Sequence, residues 1–315
     1  MSVSESAEAI AKAVGEVVVG SDRAVRLALA AVLAGGHVLL EDVPGLGKTL
    51  LARSLAGAIG LGFARLQCTP DLQPADVTGS FVFDPAEREF AFRPGPVFTG
   101  LLLADEINRT PPKTQSALLE AMQERQVTVE GRTFPLPRPF HVLATANPVE
   151  YEGTYPLPEA QLDRFLLRID IGYPTADDEV EVLRRRLARR REETSVAPVV
   201  SADELAGLQA AVEQVDVDPD ILRYCVDLAR ATREHPSVDV GASPRGSQAL
   251  LLVARALAVI DGRDFVLPED VKECAVPALA HRLTLRPETW SSGASTVEVV
   301  TEVLRTVPGP AAARA

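Results

Sequence analysis

Cysteine is scarce in this 315-residue chain: Cys68, Cys225 and Cys274 are few, odd in number and far apart. That excludes a disulfide framework and paired-cysteine zinc patterns, and it fits a reducing compartment. No run of 18 apolar residues occurs, so no segment is expected to span a bilayer. The first residues, Met1-Ser2-Val3-Ser4-Glu5-Ser6, are polar and acidic, the wrong chemistry for a signal peptide, and a cytoplasmic location is expected. Positive charge is short too: 32 Lys and Arg stand against 44 Asp and Glu, a net charge of −12. An acidic surface repels nucleic acid unless basic residues gather on one face, so such a partner is disfavoured. Lysine is nearly absent, with four against 28 arginines, so a lysine at a special place calls for a reason.

What is present is enough for a proper core: 46% of the residues are apolar, and the length suits one large and one small domain. Five short apolar stretches, at 37–41, 62–67, 100–105, 140–146 and 165–170, alternate with helical patterns. That alternation predicts an α/β fold, a parallel sheet covered by helices on both faces. Two hairpins interrupt it. Phe81 and Phe83 alternate with small or polar neighbours, as do Phe90 and Phe92, on either side of 84–88; a second pair of arms, 127–129 and 133–136, flanks Glu130-Gly131-Arg132. The composition shifts near Pro174. Thr175 and Asp178 form a capping box opening a helix whose inward positions are read as Val180, Leu183 and Leu187. Its arginines, 184–186 and 189–191, read as a solvated face, with acidic first turns, basic last turns and a Glu181–Arg185 pair. Beyond about residue 200 only helices are predicted, one opening at Ser243-Pro244 and ending before Gly262, another opening at Pro268. The domains expected are therefore 1–174 with inserts near 80–98 and 125–139, a connecting helix and linker at 175–199, and a helical 200–315 with a disordered tail from about 307.

The lysine that calls for a reason is Lys48. It ends Val43-Pro44-Gly45-Leu46-Gly47-Lys48-Thr49, which follows an apolar strand and precedes the helical Leu50-Leu51-Ala52-Arg53. Strand, glycine-rich turn and helix is the setting of a phosphate-binding loop, where consecutive backbone N–H groups and the helix dipole face one anion. Lys48 would reach the β- and γ-phosphates and the Thr49 hydroxyl would sit on Mg²⁺. One residue departs from the Walker A pattern: Asp42 stands in place of its first glycine. The third strand delivers Asp105 and Glu106 at its C-terminal end, a Walker B pattern in which Asp105 holds Mg²⁺ largely through water and Glu106 polarises the attacking water. The fourth ends at Asn147, placed either to orient that water or merely to end a strand before Pro148. Arg164 is either a surface residue paired with Asp163 or an arginine finger for a neighbouring copy. No Asn-Lys-x-Asp motif is present to read guanine.

These pieces in this order resemble the AAA+ ATPases, and more closely the MoxR family. The resemblance rests on 41–49, on Thr69-Pro70-Asp71-Leu72-Gln73-Pro74-Ala75-Asp76-Val77-Thr78-Gly79, on Ala104-Asp105-Glu106-Ile107-Asn108-Arg109, and on 117–124 and 159–165; it covers roughly residues 5 to 305. It implies a five-stranded sheet of order 5-1-4-3-2 with a C-terminal all-α lid, and ATP hydrolysis with Mg²⁺. It also implies a homo-oligomeric, hexameric ring that remodels protein partners, some with von Willebrand factor A domains. A magnesium-chelatase-like subunit is the close alternative and a nucleic-acid motor the remoter one. By the same resemblance Asn147 matches the first sensor, Arg164 the finger and Arg245 the second sensor, while Val19 and Gly20 match the segment lining the adenine pocket; Pro44, Leu46 and Leu50 count with the phosphate loop as nucleotide-binding. Arg245 lies in a helix's first turn, where the dipole disfavours a cation unless an anion is near; a nucleotide phosphate is the candidate.

Overall fold

The structure is a computed structural model that describes residues 2–148, 154–191, 194–290 and 293–310. Helices α1 (Val3–Gly15) and α2 (Asp22–Leu33) open the chain, α1 on a capping box between Ser2 and Glu5. Strand β1 (Val38–Glu41) runs through the glycine-rich turn into α3 (Lys48–Ala58), and β2 (Phe63–Gln67) follows. A short helix, α4 (Pro74–Thr78), precedes the hairpin of β3 (Gly79–Asp84) and β4 (Glu89–Pro94). Then come β5 (Leu101–Asp105), a 3-10 turn at Ile107–Arg109, and α5 (Pro112–Glu124). The second hairpin, β6 (Gln126–Val129) with β7 (Arg132–Pro135), leads to β8 (His141–Ala146), α6 (Glu159–Leu162) and β9 (Leu167–Ile169). The C-terminal part holds α7 (Ala176–Arg189), α8 (Ala202–Val212), α9 (Pro219–Glu234), α10 (Pro244–Ile260), α11 (Pro268–Leu279), α12 (Pro287–Trp290) and α13 (Thr296–Thr306). Only helices are predicted there, yet β10 (Val238–Val240) and β11 (Thr284–Leu285) also pair, antiparallel; strands this short carry no alternation to read. Past α13, Val307 packs on the core, while 311–315 of the expected disordered tail lies outside the described residues.

The sheet order is β9-β1-β8-β5-β2, all parallel, which is 5-1-4-3-2 when the five strands are counted along the chain. The three central strands, β1, β5 and β8, are buried on both faces and so must be apolar almost throughout, which is why they read as short continuous runs; the edge strand β2 keeps Arg65 and Gln67 exposed. One core lies between the sheet and α1, α2 and α3 and continues into the C-terminal helices, where Leu27 and Val32 share it with Leu250 and Val253. The other lies beneath α5 and includes Leu118, Met122, Phe140, Val142 and Phe165. Arg26 of α2 ties the parts together, meeting Asp261 at 2.7 Å and Glu273 at 2.8 Å.

Helix α7 departs from its reading. The Thr175–Asp178 box and the Glu181–Arg185 pair (2.8 Å) form, but Val180, Leu183 and Leu187 are 44, 64 and 76% exposed rather than inward. Apolar residues at helical spacing define a face without saying what it meets. This helix stands at the rim of a cavity, held by Arg185, which donates to the Gly15 and Glu16 carbonyls that end α1 (3.0 and 2.6 Å).

Two buried histidines sit where β1 and β8 begin. His37 Nδ1 accepts from the Val142 N–H (2.9 Å) and Nε2 donates to the Met122 carbonyl (3.1 Å); His141 Nδ1 donates to the Gly36 carbonyl (2.9 Å). Burial holds both neutral, pushing His37 down to about 3 and His141 to about 4. A free imidazole binds its proton near pH 6.5, so the unfolded chain takes up protons that the folded one refuses. Stability therefore falls as pH drops from about 6.5 toward 4, by up to about 1.4 kcal/mol per pH unit for each ring. The urea midpoint should be lower at about pH 5 than at about pH 7.5; equal midpoints would contradict the neutral assignment.

Candidate active site

The glycine-rich turn crosses the C-terminal edge of the sheet. Gly45 and Gly47 have φ of +90° and +81°, and a Cβ at either would meet nothing, so conformation rather than space demands glycine. Gly47 is the N-cap of α3, which leaves the unpaired N–H groups of the first turn facing outward. Pro44, Gly45, Gly47, Lys48, Thr49 and Leu50 line a cavity of about 340 Å³ with Asp105, Glu106, Thr145 and Asn147. The structure thus brings together the residues that three separate motifs single out: the glycine-rich loop, the paired carboxylates and Asn147. Lys48 donates to the carbonyls of Asp42 and Val43 (3.3 Å to the latter). Burial pushes its ammonium below the ordinary lysine value, and the carboxylates of Asp42, Asp105, Glu106 and Glu41 partly offset that.

One hydroxyl organises the two carboxylates. Thr145 Oγ1 donates to Asp105 Oδ1 (2.7 Å) and accepts from the Glu106 N–H (2.7 Å). Glu106 adopts φ +60°, a left-handed turn that costs a non-glycine residue roughly 1–2 kcal/mol, so the surroundings must hold it there. Its Oε2 accepts from Gln67 (3.2 Å) and Arg109 (3.1 Å). Asp105 Oδ2 accepts from Arg65 (2.7 Å from Nη2) and lies 3.5 Å from the Thr49 hydroxyl. Two hard oxygens facing one cavity fit Mg²⁺, which takes one or two protein oxygens beside substrate phosphates. The sequence reading missed Arg65, Gln67, Arg109 and Thr145. Arg65 and Gln67 share a face beside the carboxylates because β2 lies in register with β5, Gln67 opposite Asp105, an alignment that no spacing within either strand reveals.

A second cavity, about 550 Å³, opens off the first and shares Gly45, Gly47 and Leu50 with it. Val17, Val18, Val19, Leu46, Ile171 and Pro174 give it an apolar wall. Val19 thus lines a cavity beside the phosphate loop. Gly20 is not in the lining; at φ +72° it lets the chain pass against α7, where a Cβ would come within 2.8 Å of Asp178. The arginines of α7 are more than a solvated face, because Arg185, Arg186 and Arg189 line this cavity.

Arg164 and Arg245 are elsewhere. They line a cleft with Gly35, Gly36, His37 and Arg125 at the end where β1 begins, whereas Lys48 sits past the end where β1 finishes. His37 to Asp42 is about 16 Å of strand, too far for an arginine to reach its own phosphate loop. The anion beside Arg245 is Asp163 (3.9 Å), which also takes the buried Arg282 (2.8 Å) and the Ser243 hydroxyl (3.2 Å). Asp163 is thus engaged by the C-terminal helices, and Arg164 makes no ion pair among the described residues. Burial pushes the thiols of Cys68 and Cys225 up to about 11 and about 12 and raises that of Cys274 as well, so none is poised to react.

A parallel sheet of this order, a glycine-rich loop on the first strand, paired carboxylates on the third and a helical C-terminal unit define an ATP hydrolase of the AAA+ class. The model of the ATPase family associated with various cellular activities (AAA) matches residues 37–167, and that of the AAA lid domain matches 230–303. The chain is 50% identical to the uncharacterised protein YeaC of Bacillus subtilis, over 94% of this chain and 92% of that one. It is 43% identical to Chaperone MoxR1 of Mycobacterium tuberculosis, over 94% and 80% respectively. A Cytophaga hutchinsonii crystal structure, designated an ATPase, superposes with a TM-score of 0.91 at 41% identity, covering 98% of this chain and 96% of that one. The chain belongs to the MoxR family of AAA+ ATPases.

Proposed function

We propose that the chain hydrolyses Mg-ATP in a homo-oligomeric, hexameric ring, with each nucleotide held between two copies. The observation that carries this reading is the shared cleft of Arg164 and Arg245 at the far end of the sheet from Lys48. Neither arginine can serve its own phosphate loop, so both act on the nucleotide of a neighbouring copy, and each site is incomplete alone. Within one site, the loop N–H groups and Lys48 hold the phosphates and the apolar cavity takes the adenine. Thr49 and Asp105 would hold Mg²⁺, which spreads the charge of the β- and γ-phosphates when bound. Asn147 orients a water and Glu106 accepts its proton as it attacks the γ-phosphate; Arg164 of the neighbour stabilises the charge that develops, and ADP and phosphate leave.

The partner is a protein. The two hairpins are joined by Phe92 and Phe134, stacked 4.0 Å apart and 11° from parallel, and β7 leads directly into the strand that ends at Asn147. Beyond that stack Phe83 and Phe90 pair at 5.4 Å and remain 49 and 67% exposed, an apolar patch just below the charged turn and suited to a protein chain. A nucleic-acid track fits poorly: Arg132 is committed to the ring of Phe81 (5.2 Å), and Arg88 stands between Glu87 and Glu89. The name of the mycobacterial relative supports chaperone-like work, and the family resemblance points to clients with von Willebrand factor A domains. ATP turnover per protomer should climb with protein concentration. A flat rate from a preparation shown by mass to be monomeric would sink the shared site.

A further inference from the structure

The residue that departs from the Walker A pattern is the most connected one beside it. Asp42 is not among the residues with positive φ, so its backbone has no need of the glycine usually found there. Its Oδ1 accepts from the Val43 N–H (2.8 Å), and its Oδ2 accepts from the N–H groups of Ile171 (3.0 Å) and Gly172 (2.7 Å). Ile171 and Gly172 lie just past β9, in the strap that leads through Pro174 to α7, and both line the larger cavity. The main-chain carbonyl of the same residue receives the Lys48 ammonium. Asp42 therefore touches the phosphate-binding lysine with its backbone and the wall of the base cavity with its side chain.

We propose that Asp42 is a positioning residue that fixes the β9–α7 strap to the phosphate loop, so that the base and phosphates of one nucleotide are bound at a set separation. This rests on the reading that the two cavities hold a single nucleoside phosphate. Hydrogen bonds to a carboxylate are the stronger kind, and three converge here, two of them across a gap of about 130 residues in sequence. Glycine at this position, the commoner residue for such a loop, leaves the turn free to wrap phosphates. It also leaves two backbone N–H groups of the strap without their acceptor and releases the wall against which the base packs. The carboxylate thus acts on the base-dependent part of nucleotide affinity and little on the phosphate part.

Calorimetric titration of wild type and Asp42→Gly with ADP and with inorganic pyrophosphate, Mg²⁺ present, separates the two parts. Pyrophosphate affinity should stay within about twofold while ADP affinity falls about tenfold, so the ratio of the two collapses. Equal loss of both ligands would mean that Asp42 only shapes the loop, and an unchanged ratio would mean that it does not hold the strap; either overturns the proposal. Should Asp42→Gly fail to fold by circular dichroism, Asp42→Ala decides: it removes the acceptor of both strap N–H groups without the backbone freedom of glycine, so a ratio below wild type supports the proposal and a wild-type ratio overturns it. A wild-type protein that binds neither ligand would remove the nucleotide reading itself; one that binds both while the ratio stays put removes only the role of Asp42.

Discussion

Glu106→Gln is expected to bind ATP as tightly as wild type and to hydrolyse it about 10²–10⁴-fold more slowly. The amide has the size of the carboxylate and faces the same cavity beside Lys48, Thr49 and Asp105, so the nucleotide contacts stay in place. What is lost is the group that can accept a proton from the attacking water. The left-handed backbone at this position is equally strained in both forms, and the Thr145 hydroxyl still takes the main-chain N–H, so folding is little changed. The check is a filter-binding or calorimetric measurement of ATP retention alongside phosphate release. Wild-type release by the variant would place the base elsewhere, with Asp105 the other carboxylate lining that cavity among the described residues.

Arg164→Ala should leave nucleotide affinity intact and reduce turnover by about 10³–10⁵. An arginine beside the phosphates of its own copy would contribute to ground-state binding; this one sits at the opposite edge of the sheet, beside Gly36 and His37. Its substitution also leaves the fold alone, because the pairing that anchors this corner runs from Asp163 to Arg282 and not through Arg164. Arg245→Ala shares the cleft but gives up a contact to Asp163 as well, so a smaller loss of turnover with some loss of stability is expected there. Steady-state kinetics with a thermal melt of each variant tests both. A raised Kd for ATP in the monomeric Arg164→Ala protein would place that arginine on its own nucleotide.

The parts of the fold that sequence reveals are those whose logic is local. Buried parallel strands have to be apolar runs, and the phosphate loop has to have glycines where Gly45 and Gly47 turn left-handed, so both announce themselves within a few residues. The phenylalanine alternation of 81–92 shows a hairpin for the same reason. What stays hidden depends on partners far along the chain. The α7 pattern specifies an apolar face, yet the face meets a cavity rim and solvent instead of a core. The first turn of α10 favours an anion near Arg245, and within one copy Asp163 answers it from a distant part of the chain, a contact that no local spacing shows. The hold of Gln67 on Glu106 exists only through the register of β2 against β5, which no spacing within either strand contains.

A shared site is tested most directly by mixing Lys48→Ala with Arg164→Ala, each of which is inactive by itself. The first keeps its arginine and loses its phosphate loop; the second keeps the loop and loses the arginine. If every site is built from two copies, intact sites reappear wherever the loop of one variant meets the arginine of the other, roughly a quarter of the interfaces on random mixing. ATP turnover well above that of either variant alone is the predicted result. A mixture that forms mixed rings by mass and stays as inactive as its parts would mean that each copy must carry its own arginine, and the two-copy site would be wrong.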